Sequence, residues 1–522
     1  MKLVAFLTLP GDKVACNIQE QNRALLNGLR ILIENHKIFA IILGLLIEPL
    51  QQLESIVKLK NNNAKSIQVV LTLFRNILII ADEEDSMRVK QSLSYCLVKY
   101  NFLDMLLVLV QNHKKVLIRE DTALTIEILQ LLFRGIHTSK LAVKISSIAA
   151  ENIREHAWDD LKKGKFQMTR FKGKFENKDS FQQDKIHGKK RSSNFFINPA
   201  IHSKIFYFSD ENKLILFWRS LLESTYFGAF VYHAWKDIVR SSGDVEHRAT
   251  EWQTRCYNFL DFTILGLRIL SKLLLQQNRN RRSVSIEAVA DIFESSFIHW
   301  LRMEWISFEN RKDYHGASLV CSLLVEITSI LRSLSNHANQ IEKDVSKFLI
   351  HELYFKSRKE SLLEQACLSL KNLNGKLPSA YSISLVHILN SSLKIIECQE
   401  NQLGLIDEYC KYGNFYTDST IFSHLLFIMN SNFSHTVLES VFNYVRVLIN
   451  TGYVEKLFTY RHLDCLQVFA MASKNEFGPY FELGSALQKV FRFVLTCFLT
   501  SITRPEFLKS GKKEFFIQIL FS

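Results

Sequence analysis

The chain has 522 residues, 18 of them glycine and 6 proline, and a formal net charge of +13. Ordinary usage is about 7% Gly and about 5% Pro. Sheets joined by tight turns use both heavily, so the composition argues against a sandwich, barrel or propeller and excludes collagen and Pro-rich disorder. The charge points to an acidic partner: nucleic acid, an anionic membrane or an acidic protein.

The chain opens on an apolar stretch, Leu3 to Leu7, that Pro10-Gly11-Asp12 cuts short. No small-residue cleavage site follows, so it is not read as a signal peptide. Helical runs are predicted at 21–35 and 38–59, where the most apolar part, 38–47, is half of the roughly 20 residues a membrane span needs. The clearest pattern is at 65–80. There Ile67, Val70, Leu71, Phe74, Ile77 and Leu78 fall at helical spacing on one face, and Val69, Leu73 and Ile80 add apolar groups on the other. A helix apolar nearly all round is buried between neighbours. Arg75 and Asn76 interrupt this run, and membrane spanning is not expected.

Further helices are predicted at 88–111, 120–135, 141–157, 212–241, 247–277, 284–308, 314–335, 338–355, 360–373 and 379–397, with less regular ones from 402 to 500. Connectors are short and polar, as in Lys60-Asn61-Asn62-Asn63 and Asn374-Gly375-Lys376. Many helices with short loops at this length predict an all-α fold, an armadillo/HEAT-like α-solenoid of antiparallel helices, although no residue-level repeat is clean. Four segments follow: a helical-repeat half at 1–157, a basic Phe-interleaved loop at 158–211, a second helical-repeat half at 212–400 and a C-terminal helical extension at 401–522. Nine scattered cysteines form no C-x-x-C pair and read as core residues in a reducing compartment.

Residues 162–191 break the helical pattern. Eleven cations stand against Glu176, Asp179 and Asp184, a net of +8 out of the whole chain's +13, with Phe166, Phe171, Phe175 and Phe181 interleaved. Lys162, Lys163, Lys165, Arg170, Lys172, Lys174, Lys189, Lys190 and Arg191 are the candidate DNA-binding residues, because cations that neutralise phosphates give sequence-independent affinity. The phenylalanines stack on single-stranded bases in that reading, or anchor the loop to the helices. Two alternatives stay open: a solvated loop, and a nuclear import signal at Lys189-Lys190-Arg191. A second cluster, Arg279, Arg281 and Arg282, sits at a helix–helix turn, where phosphate contact and a solvated turn compete.

Phosphate loops, dinucleotide fingerprints, zinc-helix motifs and nucleophile elbows are missing from the sequence. His233 and His299 lie in helical runs and are expected to be structural or surface residues. Asp82-Glu83-Glu84-Asp85 is expected to be a solvated turn or helix start. No catalytic residue, metal ligand or cofactor site is assigned; an enzyme with a scattered site is the least favoured reading.

Several stretches in order resemble the Timeless family of replication-fork proteins. Leu3-Val4-Ala5-Phe6-Leu7-Thr8-Leu9-Pro10 is similar to its L-x-x-x-L-T-x-P element, with Cys16-Asn17-Ile18 as the sequel. Phe74-Arg75-Asn76-Ile77-Leu78 is similar to its V-R-N-I-L helix, and Leu103-Asp104-Met105-Leu106-Leu107 to its L-D-D-L-L-L element. Residues 124–134 resemble its E-I-x-x-L-x-F-R helix. Arg170-Phe171-Lys172-Gly173-Lys174 falls where the family carries R-F-G-G-S/T, with Lys for the first Gly. Later helices through residue 400 keep family order, and 410–522 follow it loosely. Family members carry helices before the L-T-x-P element and a long acidic C-terminal region; this chain starts late, as a truncated gene model does, and ends without that region.

The resemblance implies a nuclear, non-catalytic scaffold of the fork protection complex. It implies a Tipin-type small subunit, the MCM replicative helicase and double-stranded DNA as partners, no membrane and no small-molecule substrate. Fork pausing, DNA damage response and S-phase checkpoint signalling are the implied roles. The competing reading is a generic helical-repeat adaptor for transport or trafficking, with no DNA role.

Overall fold

The computed structural model describes residues 18–54, 59, 61–82, 87–113, 121–150, 211–223, 226–241, 245–276, 286–337, 340–354, 361–372 and 379–399. Among these the chain is helical without a strand. The helices are α1 (Ile18–Glu34), α2 (Lys37–Gly44), α3 (Ile47–Glu54), α4 (Asn61–Ala81), α5 (Met87–Lys99), α6 (Phe102–Gln111), α7 (Thr122–Phe133) and α8 (Thr138–Ala150). After residue 210 come α9 (Glu211–Glu223), α10 (Tyr226–Ser241), α11 (Val245–Gln276) and a 3₁₀ segment (Ile286–Phe293). Then follow α12 (Ser295–Asn310), α13 (Tyr314–His337), α14 (Gln340–Tyr354), α15 (Leu362–Asn372) and α16 (Ser379–Gln399). The chain divides into two compact units, residues 1–298 and 299–522.

In the first unit α4 carries the pattern read at 65–80. Ile67, Val70, Leu71, Leu73, Phe74, Ile77, Leu78 and Ile80 are all buried, because α1, α3, α5 and α7 all pack on α4. By length and composition alone, α4 and the Tyr314–Leu334 part of α13 reach what a membrane crossing needs. In the structure 56% of the α4 window and 61% of the α13 window are buried within the protein, α13 against α14 and α16 in the second unit.

Four runs predicted as single helices are divided; one is 212–241, where α9 ends at Glu223 and α10 begins at Tyr226. In 38–59 the helix stops at Gly44 and restarts at Ile47. Pro49 lies in the first turn of α3, where a missing N–H costs nothing; inside a continuous helix it would clash with the preceding turn. In 88–111 the break is Tyr100-Asn101. Asn101 takes a left-handed backbone (φ 60°), which Asn tolerates better than most residues, and the chain turns by 68° between α5 and α6. In 284–308 a 3₁₀ segment precedes α12.

Helices on both sides of residues 151–210 share one core. α9 packs on α6 and α8, α10 on α6 and α7, and α11 on α7 and α8. Aromatic rings knit these layers: Phe133 of α7 lies 5.4 and 5.2 Å from Phe217 and Trp218 of α9, and Trp218 stacks on Phe262 of α11 at 5.8 Å. Each such ring adds about 0.5–1.5 kcal/mol beyond its buried area. The 3₁₀ segment closes on α10 so tightly that a Cβ on Gly228 would stand 2.8 Å from the Ala288 carbonyl oxygen and 3.0 Å from Val289 Cα. Backbone cannot move aside as a flexible side chain can. Gly228→Ala is therefore expected to destabilise the first unit by about 1–3 kcal/mol, read as a lower urea midpoint.

The second unit is held by buried hydroxyl networks. Trp305 Nε1 donates to the Tyr381 hydroxyl at 2.7 Å, that hydroxyl donates to Glu309, and Gln365 Nε2 donates to Glu309 at 3.3 Å. Tyr354 shares a 2.8 Å hydrogen bond with Thr328, whose hydroxyl donates on to the Leu324 carbonyl. Burial pushes the Tyr354 phenol well above its usual value. Burial first, then the Cys321 thiol and Glu309 carboxyl, push Tyr381 up as well. Both groups have raised folded-state pKa values, so the stability they contribute is complete below the unfolded value of about 10 and is lost as pH rises above it. At pH 11 the loss is expected to be about 1.4 kcal/mol for each tyrosine. Urea titrations between pH 9 and 11 check this, and replacing both tyrosines by Phe removes that part of the pH dependence.

Candidate nucleic-acid interface

The site is built on α4, α7, α8 and α11 of the first unit. Two of the stretches singled out in the sequence face each other here. Arg75 of α4 lies 3.5 Å from Glu127 of α7, whose side chain is only 5% exposed. Arg75 also donates to its neighbour Asn76 Oδ1 at 3.2 and 3.0 Å. Arg255 of α11 approaches the other carboxylate oxygen of Glu127 at 4.0 Å. One carboxylate thus sits between two guanidinium groups.

A similar arrangement closes the far end of α4. Asp82 accepts from Lys90 of α5 and from Arg134, just past α7, the latter at 2.5 Å. Burial lowers the Lys90 pKa, opposed by its hydrogen bond and charge pairing with Asp82. Asp82 is a half-buried turn residue held between two cations, and Glu83, Glu84 and Asp85 lie outside the described residues. Again one acid meets two bases, and Arg134 keeps 61% of its side chain exposed.

Arg134 owes its position to a tight turn. The Ile136 N–H donates to the Phe133 carbonyl at 3.1 Å. Arg134 has φ −58° and ψ 123°, and Gly135 has φ 88°. These values make a type II turn, in which the third residue needs positive φ and is best served by glycine. The turn starts α8 beside α11, where Lys272 Nζ donates to Thr138 Oγ1 at 2.9 Å and Ser139 Oγ at 2.5 Å.

Between turn and α11 lies an open cleft of about 440 Å³, lined among others by Gln130, Phe133, Arg134, Asp261, Leu265 and Arg268. Around it α8 carries Lys140 and Lys144, and α11 carries Arg268 and Lys272, two pairs spaced one helical turn apart. Lys140 and Arg268 are exposed, Lys144 and Lys272 half-buried. Arg134 and these four residues make the α7–α8 turn, α8 and α11 rich in cations; Asp261 is the acid among the residues that line the cleft, and Asp82 holds Arg134. Among the described residues no group of three or more His, Cys, Asp or Glu is placed to hold a metal ion. His233 packs against the buried His113, ring centres 4.8 Å apart, and His299 is exposed.

The pairing of Arg75 on α4 with Glu127 on α7 joins two of the stretches that carry the family resemblance. The comparison with known families agrees. Residues 1–196 match the Timeless protein family. No curated protein matches the chain. The Timeless match takes in α1 to α8 and all of 162–191, and stops short of Arg279, Arg281 and Arg282; the resemblance read from the sequence runs further, to about residue 400.

Lys162, Lys163, Lys165, Arg170, Lys172, Lys174, Lys189, Lys190, Arg191, Arg279, Arg281 and Arg282 all lie outside the described residues. Their flanks do not. α8, which ends at Ala150, and α9, which begins at Glu211, touch each other. α11 ends at Gln276, three residues before Arg279. Both sequence clusters thus follow, along the chain, two cation-bearing helices, α8 and α11, which pack together. Sequence reasoning did not single out Lys140, Lys144, Arg268 or Lys272, and named Arg134 only as part of a family-like stretch. Singly, each looks like the solvated side of an amphipathic helix; the i,i+4 spacing of two pairs was the available signal.

Proposed function

We propose that this protein is a non-catalytic, Timeless-type scaffold acting at replication forks in the nucleus, as a subunit of the fork protection complex. The observation that carries the reading is the Timeless match itself, which includes the basic stretch 162–191. In this reading the helices continue into an armadillo/HEAT-like α-solenoid of antiparallel members, divided at 1–157, 158–211, 212–400 and 401–522. Lys162 to Arg191, with Arg279, Arg281 and Arg282, hold the phosphates of parental duplex DNA without reading bases. Cations of α8 and α11 extend that contact.

A passive mechanism is sufficient. Packed helices offer large, rigid surfaces to a Tipin-type small subunit and to the MCM helicase, and the DNA contact keeps the assembly at the fork, where pausing and checkpoint signalling need it. No bond is made or broken.

The test is co-purification from S-phase chromatin followed by identification of the bound proteins. A Tipin-type protein and MCM subunits are the expected companions. Their absence, with a basic stretch that can be deleted without effect on chromatin association, overturns the proposal in favour of a transport or trafficking adaptor.

A further inference from the structure

Helix α2 is apolar on two faces. Phe39, Ile42 and Leu43 form the buried one, with the Phe39 ring 6.2 Å from Phe74 of α4. Ile38, Ile41 and Leu45 fall at i, i+3 and i+7, the spacing of a single helix face. They stay 37%, 70% and 46% exposed, and Ile31, near the end of α1, is exposed as well. Single exposed apolar residues are ordinary, whereas a row of them marks an interaction surface.

Opposite charges bracket this row. Before its start lies Lys99 of α5, which is exposed. Its Nζ is 3.5 Å from His36 Nε2 and 5.9 Å from the centre of the Tyr100 ring, and among the described residues it pairs with no carboxylate. Burial, and then the charges of Lys99 and Lys37, lower the His36 pKa. A carboxylate brought to this corner would be attracted by all three groups. Past the end of the row stands Glu48, in the first turn of α3. It is exposed, and it accepts from the neutral amides of Gln52 at 3.2 Å and Asn63 at 3.5 Å, which leave its charge uncancelled.

We propose that α2 pairs antiparallel with α2 of a second copy of this chain. A row that is positive before one end, apolar along its length and negative past the other is complementary to itself in that orientation. Ile38 meets Leu45 of the second copy, Ile41 meets its own equivalent, and each Glu48 reaches the Lys99–His36 corner opposite. A two-fold interface uses one patch on both sides, so a self-complementary patch is what it requires. The charge pattern selects this occupant: a uniformly acidic or uniformly basic helix would match one end of the row and be repelled at the other. A row this short covers less than the roughly 800 Å² per partner of a standard interface, so the pairing is weak and reversible. It involves neither residues 162–191 nor the cations of α8 and α11, and it can fail without them.

The test is sedimentation velocity of the full chain over about a hundredfold range of concentration. The weight-average sedimentation coefficient is expected to rise from monomer toward dimer. Ile41→Asp is expected to raise the dissociation constant by tenfold or more, the scale of about one lost buried contact. Ile41 is mostly exposed within one chain, so the substitution spares the fold. Lys99→Glu and Glu48→Lys each place like charges together at both ends of the row and should each weaken pairing by about tenfold. Combined in one chain they restore opposite charges and should recover most of that loss. A chain that stays monomeric throughout overturns the proposal. So does a dimer that Ile41→Asp leaves intact, which puts the contact elsewhere. A double charge variant as weak as the two single losses together overturns the antiparallel register.

Discussion

Replacing Lys163, Lys165, Lys172, Lys174, Lys189, Lys190 and Arg191 together by Gln flattens the salt dependence of duplex binding. Each phosphate neutralised by a cation releases condensed counterions, and the logarithm of the binding constant then falls with the logarithm of salt by about 0.9 per contact. Seven contacts correspond to a slope change of about 6, which separates two proteins of similar affinity at low salt by orders of magnitude at physiological salt. Gln keeps length and polarity and adds no repulsion. Arg134, Lys140, Lys144, Arg268 and Lys272 remain, so a shallow slope persists. Anisotropy titrations of one duplex at four or five salt concentrations measure it. An unchanged slope removes the basic stretch from the interface, and a companion Lys140→Gln, Lys144→Gln, Arg268→Gln variant then shows whether the helical face carries the contact alone.

The sequence pattern revealed helices better than it revealed their ends. At 65–80 the periodicity is long and nearly two-sided, and α4 is enclosed as that pattern requires. The break before α3 was legible in Pro49. The break at Asn101 was not, because the apolar rhythm resumes at Phe102 without a Gly or Pro. What holds that corner comes from far along the chain: Lys213 Nζ donates to the Val98 carbonyl and to Asn101 Oδ1, each at 3.0 Å. A contact across more than a hundred residues leaves no local trace.

The same limit applies to the site. Arg75 was visible in the sequence as an interruption of an apolar run, and Glu127 as one letter of a helix motif; their meeting depends on α4 packing against α7. Asp82 looked like one member of an acidic turn until Lys90 and Arg134 closed on it. The charge excess of residues 162–191 is visible in composition alone, since a thirty-residue excess needs no tertiary information. The cations of α8 and α11 matter only together, and their proximity follows from helix packing.

Glu127 is where that packing and charge are most tightly coupled. Glu127→Leu is expected to lower the stability of the first unit by about 3–5 kcal/mol, the cost of leaving a buried partner uncompensated. Arg75 is the group left behind: its side chain is 14% exposed, so little water replaces the lost carboxylate, while Arg255, at 36%, can turn toward solvent. This asymmetry makes a sharper second expectation. Arg75→Met in the Glu127→Leu background should recover much of the loss, because a buried ion pair replaced on both sides by apolar groups of similar volume is often neutral, whereas Arg255→Met should recover little. Urea unfolding of the single and double variants measures the coupling. If Arg75→Met instead adds its own full penalty to that of Glu127→Leu, the two residues act independently. The α4–α7 seam would then be held by its apolar contacts alone, with Phe74, Ile77 and Ile128 carrying what is here assigned to the ion pair.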